Sequence, residues 1–218
     1  MDIIINFISF ILHLDESLYG IIQTYGFWTY LILFTIVFCE TGLVVTPFLP
    51  GDSLIFASGA LSAMGSLNVW AFFITFLFAA VIGDTVNYSI GKAIGNKILE
   101  KGKNRFVKKE YIVKAHQFYE KYGSATIVIG RFIPIIRTFV PFVAGMGEMH
   151  YTKFIIYNIL GGLLWVSLFL GGGFLFGNIP IIKDNFTFVL IAIIFISVLP
   201  AVIVYFRERK NANADADA

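Results

Sequence analysis

Two carboxylates and two guanidiniums stand where an apolar chain is expected to carry no charge. Glu40 and Asp52 lie within the apolar stretch 27–66, and Arg131 and Arg137 within the stretch 124–147. Each ionised side chain at bilayer depth costs roughly 2.5–3.5 kcal/mol on insertion scales, so four of them require a function. Arginines six residues apart can grip phosphate oxygens through their planar forks, which Lys cannot reproduce. Arg131 and Arg137 are therefore candidate phosphate-binding residues. A carboxyl removed from water with no cation nearby favours its neutral form, which makes Glu40 and Asp52 candidate proton-coupling residues. The structural alternative is that Glu40 and Asp52 only neutralise Arg137 and Arg131 as buried ion pairs. Desolvation consumes most of the Coulomb gain of such pairs, which argues against a purely structural set of four.

The same stretches carry chain breaks. Pro47, Pro50 and Gly51 interrupt the first, and Pro134, Pro141 and Gly145 the second. A continuous helix does not tolerate these, and broken backbone at bilayer depth persists only inside protein or along a wet cavity. Two half-length helices joined at such a break form a re-entrant hairpin.

The 218 residues are 58% hydrophobic and 14% charged, which excludes a soluble core and predicts one all-α integral membrane domain over 1–218. Residues 1–20 hold too short an apolar run to span and predict an interfacial helix. Hairpins over 27–66 and 124–147 pack among transmembrane helices at 69–91, 152–178 and 186–206, with a polar tail at 207–218. Nine of the sixteen Lys and Arg fall within 92–121, which marks a cytoplasmic basic loop. If 124–147 crossed the membrane, the basic cluster at 207–210 would lie outside. If it turns back, both basic regions lie inside, and the hairpins enter from opposite faces as an inverted pair. Asp52 precedes Phe56-x-x-Gly59 much as Arg137 precedes Phe142-x-x-Gly145, a weak internal repeat of the kind that marks midplane sites in secondary transporters.

Asp84, Asn87 and Tyr88 share one helix face and are candidate cavity-lining residues, with helix packing as the equal alternative. Gly161-Gly162 and Gly171-Gly172-Gly173 read as close helix contacts. The single Cys39 and the scattered His13, His116 and His150 predict no metal site and no catalytic residue. No phosphate-binding Gly-x-x-x-x-Gly-Lys loop is present, which argues against ATP-driven pumping, and no cofactor or nucleic-acid partner is expected.

Glu40, Pro50-Gly51-Asp52, Gly83-Asp84-x-x-Asn87-Tyr88-x-x-Gly91 and Arg131-Phe-x-Pro134-x-x-Arg137-x-x-x-Pro141-x-x-x-Gly145 resemble the DedA family of membrane proteins over nearly the whole chain. The resemblance implies two facing re-entrant hairpins and lipid movement across the bacterial inner membrane, tied to proton motive force. Relatives act on undecaprenyl phosphate or phosphatidylethanolamine, and eukaryotic ones scramble lipids, so the headgroup stays open, as does a homo-oligomer. The expectation is a proton-coupled transporter of an anionic phospholipid or undecaprenyl phosphate. An uncoupled scramblase is the first alternative and an intramembrane lipid phosphatase the second.

Overall fold

The computed structural model describes residues 26–43, 51–63, 65, 67–101, 109–177 and 179. The expected interfacial helix, Pro47, Pro50, the span at 186–206 and the tail lie outside these residues. Among the described residues the chain is helical and contains no strand. Helix α1 spans Trp28–Gly42 and α2 spans Gly51–Ala63. At 15 and 13 residues, both are shorter than the ~20 needed to cross a hydrocarbon core. Helix α3 runs Val69–Lys101, α4 runs Lys109–Tyr122, and a 3₁₀ turn at Gly123–Ala125 leads into α5, Thr126–Gly130. Gly123 takes a φ of +55° there, a left-handed conformation that costs other residues strain. Helix α6, Pro134–Val143, continues into a π-helical turn at Ala144–Glu148, and α7 spans Tyr151–Phe176. Two of these helices contain spans long and apolar enough to cross a membrane, Val69–Ala93 and Tyr151–Phe176.

The segment read from sequence as a basic loop, 92–121, is helical at both of its ends. Residues 92–101 carry Ala, Leu, Glu and Lys and no Pro, so helix α3 propagates beyond its apolar span. The break in the second unit falls at Pro134 and not at Pro141 or Gly145. Pro141 lies inside α6 and Gly145 in the π-helical turn, so neither reverses the chain. The interruption is at 131–133, where Ile133 is extended (φ −116°, ψ 106°) because a residue preceding proline disfavours the helical region. Pro134 then opens α6 at a position where its missing N–H costs nothing. A Cβ on Gly130 would come within 2.9 Å of Val140, so α5 and α6 lie close against each other across the break.

Helix α1 packs chiefly on α3, and α2 chiefly on α7. The buried stripe of α1, Thr29, Leu33, Val37 and Glu40-Thr41, follows the helical period. Helix α2 is buried nearly all round, and two of its hydroxyls are satisfied within the helix: Ser58 donates to Leu54 O and Ser62 to Ser58 O, each at 2.7 Å. One apolar core joins Leu33, Leu54, Phe72, Phe76, Trp165 and Leu170, and a second joins Tyr88, Ile127, Phe139, Phe142 and Phe154.

The weak sequence repeat has a structural counterpart. A Cβ on Gly173 would lie 2.0 Å from Phe56 O, and one on Gly59 2.2 Å from Leu170 O. In the other half, a Cβ on Gly91 would lie 2.0 Å from Phe142 O, and one on Gly145 2.0 Å from Tyr88 O. Phe56-x-x-Gly59 therefore clasps α7 as Phe142-x-x-Gly145 clasps α3. Each broken unit is seated on the long helix of the other half through small residues that admit close backbone approach.

Asn87 ties these parts together. Its amide donates to Thr41 O at 3.2 Å and to Thr138 O at 2.7 Å, bracing α3 against α1 and α6. Asn87→Ala leaves two buried carbonyls without this donor, and we expect a loss of about 1–3 kcal/mol, read as a lower Tm in detergent. An unchanged Tm would remove the brace from this account.

Candidate functional site

The helix break at 131–133 determines how the site is built. It frees the Arg131 carbonyl from the helical ladder, and Arg137, one turn into α6, donates to it from Nε at 2.7 Å. The same guanidinium donates from Nη1 to Glu40 Oε1 at 2.9 Å and from Nη2 to Asp52 Oδ1 at 2.7 Å. It also lies over the Trp165 ring, 4.8 Å from the centroid, and Trp165 Nε1 donates to Asp52 Oδ1 at 2.9 Å. One arginine thereby joins α1, α2, α6 and α7, and all four side chains are buried.

Arg131 occupies a different environment. Its Nη2 pairs with Asp84 Oδ2 at 2.5 Å and donates to Asn158 Oδ1, while the Asn158 amide donates to Val81 O at 3.1 Å. The ion-pair assignment read from sequence is corrected here: Glu40 and Asp52 both pair with Arg137, and Asp84 is the carboxylate of Arg131. Asp84 projects from α3, which packs against both broken units, and it pairs with the arginine that Glu40 and Asp52 do not hold. The two guanidiniums face three carboxylates.

The other sequence-selected residues divide. Gly51 lies directly against Glu40, since a Cβ there would fall 1.6 Å from Oε2. Tyr88 donates to Met149 O at 2.9 Å and stacks on Phe154 with centroids 4.5 Å apart. Its role is in the second core, and Asn87 serves as the brace described above. The structure adds Asn158, Trp165 and Gly161, none of which the sequence singled out as site residues. A Cβ on Gly161 would lie 3.1 Å from both Cδ and Nε of Arg131, so this glycine provides the space for the arginine stem. The available signal was Asn158, a polar residue within an apolar span, with Gly161 and Trp165 at i+3 and i+7 on the same face.

Among the described residues, seven buried polar side-chain atoms have no hydrogen-bond partner, including Glu40 Oε2, Asp84 Oδ1, and Nε and Nη1 of Arg131. Unmet groups in a buried network are costly and mark places where a ligand or proton can act. Among the described residues, no group of three or more His, Cys, Asp or Glu is placed to hold a metal ion.

Comparison with known proteins places the chain among membrane proteins. The VTT domain matches residues 49–175, a range that contains Asp52, Asp84, Arg131, Arg137, Asn158 and Trp165. Protein DedA of Escherichia coli K12 is 50% identical over 214 residues, covering 97% of this chain and 98% of its own. An uncharacterised membrane protein of Mycobacterium tuberculosis H37Rv is 41% identical over 182 residues, 81% of this chain and 80% of its own. Inner membrane protein YqjA of Escherichia coli K12 is 34% identical over 152 residues, 70% and 69% respectively. No solved structure matches the chain. The extent of these matches, with two membrane-capable helices around a buried charge network, makes the chain a membrane protein of the DedA family, which carries the VTT domain.

Proposed function

We propose that this protein is a proton-coupled carrier that moves an anionic phospholipid or undecaprenyl phosphate across the bacterial inner membrane. The observation that carries the reading is the convergence of both broken units on Arg137, with Glu40 from α1 and Asp52 from α2 on one guanidinium. A buried set of opposed charges contributed by separate elements is a device that substrate and protons can rearrange, and it is a poor stabiliser in itself. In this reading the two units are re-entrant hairpins of opposite entry, residues 1–20 lie on the membrane surface, and the basic segment and C-terminus face the cytoplasm.

The charge count supports proton coupling. With every group ionised, three carboxylates against two guanidiniums among the described residues leave one negative charge in excess, which a single proton would cancel. A headgroup bearing about −1.5 to −2 charges moves into a negative cell against roughly 2.3 kcal/mol per charge per 100 mV. Co-transported protons offset that cost. In this reading the chain is a carrier and not an enzyme, because the carboxylates near the arginines are held by guanidiniums and are poorly placed to accept a phosphoryl group.

The test is reconstitution in liposomes with labelled undecaprenyl phosphate in one leaflet, phosphatidylethanolamine in a parallel set, and an imposed proton gradient. Movement of the polyprenyl phosphate should accelerate with the gradient, and Glu40→Gln or Asp52→Asn should abolish that acceleration. Gradient-independent movement of both lipids would make the protein a scramblase, and release of inorganic phosphate would make it a phosphatase.

A further inference from the structure

The two arginines differ in what they can still accept. On Arg137, Nε, Nη1 and Nη2 each have an oxygen partner, one face is covered by Trp165, and two carboxylates sit against a single positive charge. An incoming anion would meet a cluster that is already net negative when ionised. Arg131 has a single carboxylate partner, so its pair is neutral, and all of its side-chain bonds leave from Nη2. Its Nε and Nη1 are buried without an acceptor among the described residues, on a side chain only 2% exposed. A guanidinium presents its donors as a planar fork, and the ligand class that matches such a fork is a tetrahedral or planar oxyanion.

The surroundings of Arg131 favour exchange. Gly161 lies beside its stem with no side chain of its own, and Ile129 and Phe132, on either side of the Gly130-Arg131 pair, are exposed. Arg131 itself is buried, so its guanidinium stands at the start of a chain break flanked by exposed residues. The Arg131 carbonyl is fastened by Arg137, so the backbone of the break is held while the side chain can change partners.

We infer that a phosphate oxyanion is received at Arg131, where it displaces Asp84 and Asn158 from Nη2, while Arg137 keeps Glu40 and Asp52 as its partners during this binding step and is left for protons to rearrange. The inference rests on the carrier reading above and divides its site into two stations. Arg131, Asp84 and Asn158 form the anion station, and Arg137, Glu40, Asp52 and Trp165 form the station that carries the charge excess. Asp84 and Asn158 are the resting partners of Arg131: they satisfy Nη2 when no headgroup is bound and compete with one that arrives. Weakening either partner should therefore tighten anion binding, the reverse of what loss of a direct ligand would do.

The experiment titrates the full-length protein in detergent with dihexanoyl phosphatidate, with inorganic phosphate and dihexanoyl phosphatidylcholine in parallel, reading affinity from thermal shift and calorimetry. Asp84→Asn and Asn158→Ala should each tighten phosphatidate binding by about tenfold, and Arg131→Lys should weaken it by at least about tenfold. Asn158→Ala leaves every charge paired, so it carries the test even if Asp84→Asn does not fold. Equal affinity for inorganic phosphate would confirm the station and assign it to the free anion, against a lipid substrate. Tighter binding in Glu40→Gln or Asp52→Asn, with Asp84→Asn and Asn158→Ala unchanged, would overturn the station and leave the carrier reading standing. Absence of phosphatidate and phosphate binding in the wild type and every variant would overturn both.

Discussion

Arg137→Lys should abolish lipid movement in liposomes and lower Tm by about 6–20 °C, although the chain should still insert. An ammonium is a single compact charge, whereas the site uses a fork. Lys can follow one carboxylate and must abandon the bonds to the other, to the Arg131 carbonyl and to the Trp165 face. Breaking a buried ion pair on one side costs about 3–5 kcal/mol, because the partner stays buried without compensation. A second variant separates stability from function. Glu40→Gln combined with Arg137→Lys restores one cation against one carboxylate, so Tm should recover in part while transport stays absent. Wild-type transport by Arg137→Lys would remove the fork from the mechanism.

The next largest effect should come from the glycine clasps. Gly91→Ala and Gly173→Ala each place a Cβ 2.0 Å from a carbonyl oxygen and 2.8 Å from its carbon, in Phe142 and Phe56 respectively. These are backbone atoms and cannot rotate aside, so the helices must separate. Overpacking of this kind costs about 1–3 kcal/mol, occasionally more. Gly171→Ala is the internal control, since its Cβ meets nothing within 4 Å and alanine favours a helix interior by about 1 kcal/mol. Thermal unfolding in detergent should therefore lower Tm for Gly91→Ala and Gly173→Ala and leave Gly171→Ala at or above wild type. If Gly173→Ala matched Gly171→Ala, α2 and α7 would not be in the backbone contact described. Both clasp variants should also slow transport, because each seats the unit that delivers Asp52 or Arg137.

The charged residues of the site were conspicuous in the sequence because apolar surroundings make an ionised group costly, and cost is visible without a structure. Glu40, Asp52, Arg131 and Arg137 stand out for that reason, and the structure gathers all of them with Asp84 into one buried network. The position of the second break was less legible. Pro141 looks like a helix breaker, yet it lies within α6, which is short and buried against α3 and α4 and tolerates the lost backbone bond. Asn158 and Trp165 drew no attention because one amide and one indole in an apolar helix are individually unremarkable. Only their placement beside Arg131 and Asp52 gives them a role.

By itself the sequence determined the membrane class, the family, the presence of two interrupted segments and the charged residues they carry. The family follows from the resemblance of the motifs, and the rest from composition, local conformational preference or the desolvation of charge, which are properties of a residue and its near neighbours. The tertiary structure decided the pairing: that Glu40 and Asp52, 97 and 85 residues from Arg137, share it, and that Asp84 holds Arg131. Helical periodicity relates side chains only within one element. Which faces meet across elements depends on where glycines allow backbones to touch, and at Gly59, Gly91, Gly145 and Gly173 those contacts bring each broken unit onto the other half's long helix.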